Sequence, residues 1–143
     1  MKAIRITTEQ EFEAASRIRK VVFCEEQGVP EENEFDEYDV DPSTDHILVY
    51  VEGQPAAVGR LRVVGDAGKL ERICVLASHR KYGLGKAVVE KLESLAMEKG
   101  LKKAKLNAQV QAENFYKRLG YAVVSDVFME ENIPHVTMTK EWA

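Results

Sequence analysis

Arg80-Lys81-Tyr82-Gly83-Leu84-Gly85-Lys86 puts two closely spaced glycines among three cations, between an apolar run, Ile73-Cys74-Val75-Leu76, and a helical pattern opening at Lys86. Glycine lets a backbone approach a ligand closely. Its N–H groups, with the unpaired N–H groups that open a helix, can cradle a phosphate. A P-loop would need glycine five residues ahead of the Gly-Lys pair and Ser or Thr behind it, but Arg80 and Ala87 occupy those positions. The dinucleotide fingerprint fails at its third glycine, where Val88 stands. What remains is Arg-x-x-Gly-x-Gly between a strand and a helix.

Val75, Arg80, Gly83 and Gly85 are similar to the Val-x-x-x-x-Arg-x-x-Gly-x-Gly acetyl-CoA element of the GNAT acetyltransferase superfamily. Downstream, Asn114-Phe115-Tyr116 with the trailing Gly120-Tyr121 resembles that superfamily's Asn-x-x-Ala-x-x-Phe-Tyr-x-x-x-Gly-Phe/Tyr signature. In the N-terminal half, Ile18-Arg19, Val22-Phe23, Glu26-Gln27, Pro30, Glu32 and Asp36, together with Ile133-Pro134-His135, resemble the YjcF/ElaA-like branch. One departure is Ala77, where many members carry proline.

The resemblance implies a mixed α+β GNAT fold, a central, mostly antiparallel twisted sheet flanked by helices, and acetyl-CoA as co-substrate without a metal. The loop residues Arg80, Lys81, Gly83, Leu84, Gly85 and Lys86 would hold the CoA pyrophosphate. The backbone of Ile73, Cys74 and Val75 would pair with the pantetheine arm as an added strand does, and the Val75 N–H would serve the oxyanion. Asn114 would contact the CoA arm, Tyr116 would protonate the departing thiolate, and Glu26 and His135 would line the acceptor side.

The implied chemistry has a proton to move. A lysine-like amine has a pKa of about 10.4 and is protonated at neutral pH, so attack on a thioester requires a base. Glu71, on the strand leading into the glycine loop, is the first candidate, directly or through water. Strand alternation equally allows it to be an exposed glutamate. Tyr116 could likewise be a core aromatic, and Asn114 a helix cap. The expected activity is transfer of an acetyl group to a primary amine of a small molecule, the alternative being a CoA-binding regulatory or interaction module without turnover.

These residues need elements to position them. Ile4 and Ile6 alternate in a first strand, and Thr8-Glu9-Gln10-Glu11 reads as a capping box opening a helix with Phe12, Ala15, Ile18 and Val22 on one face. Gly28 and Pro30 end that pattern. The segment from Glu31 to Asp45 carries acidic residues and no Lys or Arg, and reads as a long solvated loop whose field could also attract a cationic amine. Runs over 46–52, 56–64 and 69–76, separated by turn residues, predict an antiparallel meander. A helix from Leu84 to Gly100, a strand over 103–110, a helix over 112–119 and final strands over 121–124 and 136–140 follow.

Composition sets outer bounds. A chain of 143 residues, 45% of them hydrophobic and without a Pro/Gly/Ser-rich linker, predicts one domain spanning residues 1–143. A net charge of −4 disfavours nucleic acid as a partner. No apolar run is long enough to span a membrane and no signal peptide opens the chain, which predicts a cytoplasmic protein, monomeric or homodimeric. Cys24 and Cys74 lack zinc or redox spacing.

Overall fold

The computed structural model describes residues 1–142. Strand β1 (Lys2–Arg5) leads into helix α1 (Glu9–Arg19), and the expected capping box is formed. The Glu11 N–H donates to Thr8 Oγ1 at 3.2 Å, and the Thr8 N–H donates to Glu11 Oε1 at 3.1 Å. The helix then widens into a π-helical segment, Lys20–Glu26. Helix α2 (Glu31–Glu34) and a tight turn, Glu37–Val40, follow.

Strands β2 (Asp45–Val51), β3 (Gln54–Val64) and β4 (Ala67–Val75) form the predicted antiparallel meander. Helix α3 (Leu84–Glu98) crosses over to β5 (Lys103–Gln109), which pairs parallel to β4. Helix α4 (Glu113–Arg118) and strands β6 (Ala122–Val123), β7 (Phe128–Glu130) and β8 (Ile133–Glu141) complete the chain. The sheet order is β1-β2-β3-β4-β5-β8-β6, with β7 also paired to β8. This is the mixed, mostly antiparallel sheet that the resemblance implies.

Alternation along the strands splits the core in two. Leu48, Val58 and Cys74 face α1 and the π-helical segment, where they meet Ala14, Ala15, Ile18 and Val22. Ile47, Val49, Ala57, Leu61 and Leu70 face the other way, onto Val88, Val89, Leu92 and Ala96 of α3. Close seating of α3 depends on Gly59 of β3. A Cβ there would lie 2.6 Å from Val88 Cγ1 and 2.8 Å from Leu92 Cδ1.

Two expectations are corrected. The acidic run is not a solvated loop: Glu34 is buried, and Asp39 is half-buried with its carboxylate facing inward. Arg19 Nε donates to Glu34 Oε2 at 2.9 Å, and Arg19 Nη1 donates to Asp39 Oδ1 at 2.7 Å. Arg60, 1% exposed, bonds Asp36, Asp39 and Glu71. The cations lie elsewhere in the sequence, so a run without Lys or Arg looked solvated. The second correction is at the C-terminus, where β8 begins at Ile133 and pairs with an unpredicted β7.

Candidate active site

Strands β4 and β5 pair only through Gly68–Leu70 against Ala104–Leu106. Beyond Leu70 they diverge, so Glu71–Val75 keep β3 on one side and have no ladder partner on the other. A β-bulge accompanies the divergence. Val58 pairs with Cys74 but Arg60 pairs with Glu71, so Arg72 and Ile73 share the single opposing residue Gly59. Arg72 adopts φ of 56°, a left-handed conformation that costs a non-glycine residue on the order of 1–3 kcal/mol. Its side chain is thereby aimed at the acidic segment, with Nη2 donating to the Glu34 carbonyl at 3.0 Å.

The divergence opens a cleft of about 620 Å³. Its floor includes Glu71, Ile73, Cys74 and Val75 of β4 and Asn107 and Gln109 of β5. Tyr116, Glu26, Gln27, Asn33, Glu130, Ile133 and His135 add to its lining. Two side-chain bonds join residues of this lining. Gln109 Nε2 donates to Gln27 Oε1 at 2.9 Å, and Asn33 Nδ2 donates to Glu131 Oε2 at 3.2 Å.

At the glycine-loop end, Gly83 is the N-cap of α3 with φ of 79° and ψ of 12°, and no side chain caps the helix. The first helical bond is Ala87 N–H to Gly83 O at 3.1 Å, so the N–H groups of Leu84, Gly85 and Lys86 have no acceptor within the helix. Lys81 is also left-handed, at φ of 72°. Gly85 lets α4 approach: a Cβ would sit 3.1 Å from Phe115 Cζ. Leu84 is buried and Cys74 packs toward α1, so both can reach a ligand only through the backbone. Lys81 and Lys86 are exposed on the loop.

The side chains of Arg80 and Glu26 are engaged with each other. Arg80 Nε donates to the Val75 carbonyl at 3.0 Å, and Nη2 donates to Glu26 Oε1 and Oε2 at 3.1 and 2.9 Å. Arg80 therefore ties the loop to both β4 and the end of the π-helical segment. Asn114 is exposed near the start of α4 and is not its cap, which is Ala112.

Tyr116 is buried, packed edge-on against Phe115 and Tyr121 at centroid distances of 5.0 and 6.0 Å. Burial pushes its phenol up, with the nearby Cys74 adding to the rise, so the group holds its proton throughout the neutral range. Glu71 also lines the cleft, but its carboxylate is committed. Oε1 accepts from Arg60 at 2.7 Å, while Oε2 accepts from Arg62 at 3.1 Å and pairs with Lys69 at 3.3 Å. Burial raises its proton affinity, yet the charge and hydrogen bonds of Arg60 outweigh that and hold it below the usual carboxylate range. This geometry argues against Glu71 as the base.

His135 is buried at the start of β8, 6% exposed and stacked on Phe128 with ring centroids 6.0 Å apart. Two other polar groups lie apart from the cleft: His46 Nε2 contacts the Asp39 carbonyl at 3.1 Å, and Arg60 is sunk in its carboxylate network. Asn33, Asn107, Gln109 and Glu130 also line the cleft, and no sequence motif marks them. The only local hint was polar alternation at the end of β5, because these residues meet only after β5, β7 and α2 are assembled.

The acetyltransferase (GNAT) domain family matches residues 9–142. The uncharacterized protein YyaT of Bacillus subtilis is 54% identical over 142 residues, 99% of this chain and 96% of that protein. YjcF, an uncharacterized N-acetyltransferase of the same organism, is 43% identical over 99% of this chain and 100% of its own length. Among solved structures, Escherichia coli ElaA superposes with a TM-score of 0.87 at 25% identity, over 99% of this chain and all of ElaA.

Proposed function

Because the chain belongs to the GNAT acetyltransferase family, we propose that it transfers an acetyl group from acetyl-CoA to a primary amine of a small molecule by direct attack. The observation that carries this reading is the divergence of β4 from β5 between an uncapped helix N-terminus and a buried tyrosine. The unpaired edge of Ile73–Val75 suits the amide groups of a pantetheine arm, and the free N–H groups at Leu84–Lys86 suit its pyrophosphate. When bound, acetyl-CoA supplies an activated acyl carbon and a thiolate leaving group.

The residues then divide the work. The Val75 N–H stabilises the developing oxyanion. Tyr116, protonated because it is buried, donates to the departing sulfur. Arg80 holds the loop against β4 and Glu26, while Lys81 and Lys86 add positive charge at the CoA end. Glu71 holds Arg60, and through it the acidic segment that forms one wall of the cleft. The cleft supports a small acceptor, because Gln27–Gln109 and Asn33–Glu131 bridge its acceptor side.

Calorimetric CoA binding, with thiol release from acetyl-CoA measured across a panel of primary amines, tests the proposal. CoA binding with release that depends on the amine is expected. Binding without transfer to any amine would make the protein an acyl-CoA-binding module, and absence of binding would sink the reading of the loop.

A further inference from the structure

We propose that His135 is the general base that deprotonates the acceptor amine, with Glu130 steadying the imidazolium that results; this rests on the acetyltransferase reading above. The cleft offers several carboxylates, and the inner ones are engaged by cations. Glu71 is held by Arg60, Arg62 and Lys69, and Glu34 by Arg19 and Arg72, whose Nε atoms lie 2.9 and 3.1 Å from Glu34 Oε2. Glu26 is chelated by Arg80. The guanidinium groups hold Glu71 below the usual carboxylate range, and Glu34, which burial raises, has its Oε2 taken by two of them.

His135 differs. Its Nδ1 lies 2.6 Å from the Ile133 carbonyl, which can only accept, so Nδ1 carries the proton. In the neutral ring Nε2 is then left with its lone pair. That atom makes no hydrogen bond among the described residues, and it is not sealed from solvent, since no sealed side-chain polar atom there lacks a partner. It lies 3.5 Å from Glu130 Oε2, a half-exposed carboxylate on β7. Ring orientation, tautomer and counter-charge are all set before any ligand arrives. His135 also shares the cleft with Tyr116, the proposed acid.

The step balances. Nε2 takes one proton from the acceptor ammonium, and the freed nitrogen lone pair forms the N–C bond to the acyl carbon. The C–S bond breaks, and its electron pair takes the phenol proton of Tyr116. The second nitrogen proton returns to the phenolate through solvent, and His135 releases its proton to bulk water. Acetyl-CoA and an ammonium thus give an acetamide, CoA thiol and one proton.

A base is needed only when the acceptor arrives protonated, and this gives the test. Phenethylamine and β,β-difluorophenethylamine have nearly the same shape, but the fluorines make the second ammonium far more acidic. The variant His135→Asn keeps an N–H donor near the Ile133 carbonyl. It is expected to lose at least about a hundredfold in kcat with phenethylamine and less than about threefold with the difluoro analogue. CoA affinity and Tm should stay at wild-type values. Glu130→Gln, at an exposed position that folding does not require, should show the same selective loss at severalfold size. Equal losses on both amines, or none, would overturn the assignment and leave the transferase reading standing. Wild-type protein that binds CoA but acetylates neither these two nor any other amine of the panel would overturn the transferase reading and this assignment with it.

Discussion

Tyr116 and Glu71 were both sequence candidates for proton transfer, and their surroundings separate them. Tyr116 sits in an apolar wall, so burial favours its neutral form. It therefore remains a proton donor above the ordinary tyrosine value of about 10. Glu71 stands among three cations that favour its charged form. Replacing Tyr116 with Phe should lower kcat by about a hundredfold, the lower end for a positioned acid, while CoA affinity measured by calorimetry stays within about twofold. Equal rates would remove Tyr116 from the mechanism. The Asn-Phe-Tyr motif made this residue legible in advance. Nothing near Glu71 in sequence, apart from Lys69 and Arg72, announced the guanidinium groups that Arg60 and Arg62 bring from the neighbouring strand.

The glycine loop, α3 and β4 act as one unit. Gly83 begins the helix in a left-handed conformation, Gly85 admits Phe115, and Gly59 on the neighbouring strand lets α3 lie close to the sheet. These three glycines hold the open end of α3 beside the unpaired edge of β4. Gly59→Ala would drive a methyl group into Val88 and Leu92, and overpacking of this kind costs about 1–3 kcal/mol. A lowered urea midpoint with unchanged slope is the expected result. A midpoint at the wild-type value would mean that α3 can shift freely. Most elements were legible from periodicity and turn residues, including the capping box at Thr8 and the left-handed Gly100 after α3. The π-helical widening at Lys20–Glu26 was not; that segment packs against α2, which only the folded chain brings to it.

Across the molecule, Arg19, Arg60 and Arg72 fasten the acidic segment to the sheet, and this segment walls the cleft. Asp39 reports on that assembly. Burial would raise its pKa, but hydrogen bonds and charge from Arg19, with help from Arg60, bring it down to about 2. A carboxyl depressed on folding contributes stability above its unfolded value and loses that contribution as pH falls through the folded one. Asp39 should therefore contribute about 2–3 kcal/mol at neutral pH, lost between about pH 4 and pH 2. Glu34 runs the other way: burial outweighs Arg72 and Arg19 and raises it, so it offsets part of the loss as it takes up its proton at higher pH. Urea midpoints measured down this range should fall less steeply in Asp39→Asn than in wild type. Parallel profiles would show that the network is not coupled to folding.

The sequence by itself determined what is written in short stretches of backbone: the glycine loop between strand and helix, the Asn-Phe-Tyr motif, the meander and the long helix. Such features depend on φ and ψ preferences and on hydrophobic period, which neighbours along the chain set. Tertiary structure alone decided which polar groups are free to act. Arg60 meets Asp36 across 24 positions, Gln27 meets Gln109 across 82, and Asn33 meets Glu131 across 98. A side chain's proton affinity follows from the charges and burial around it, and those neighbours come together only when β4 parts from β5 and the two ends of the chain close over the gap.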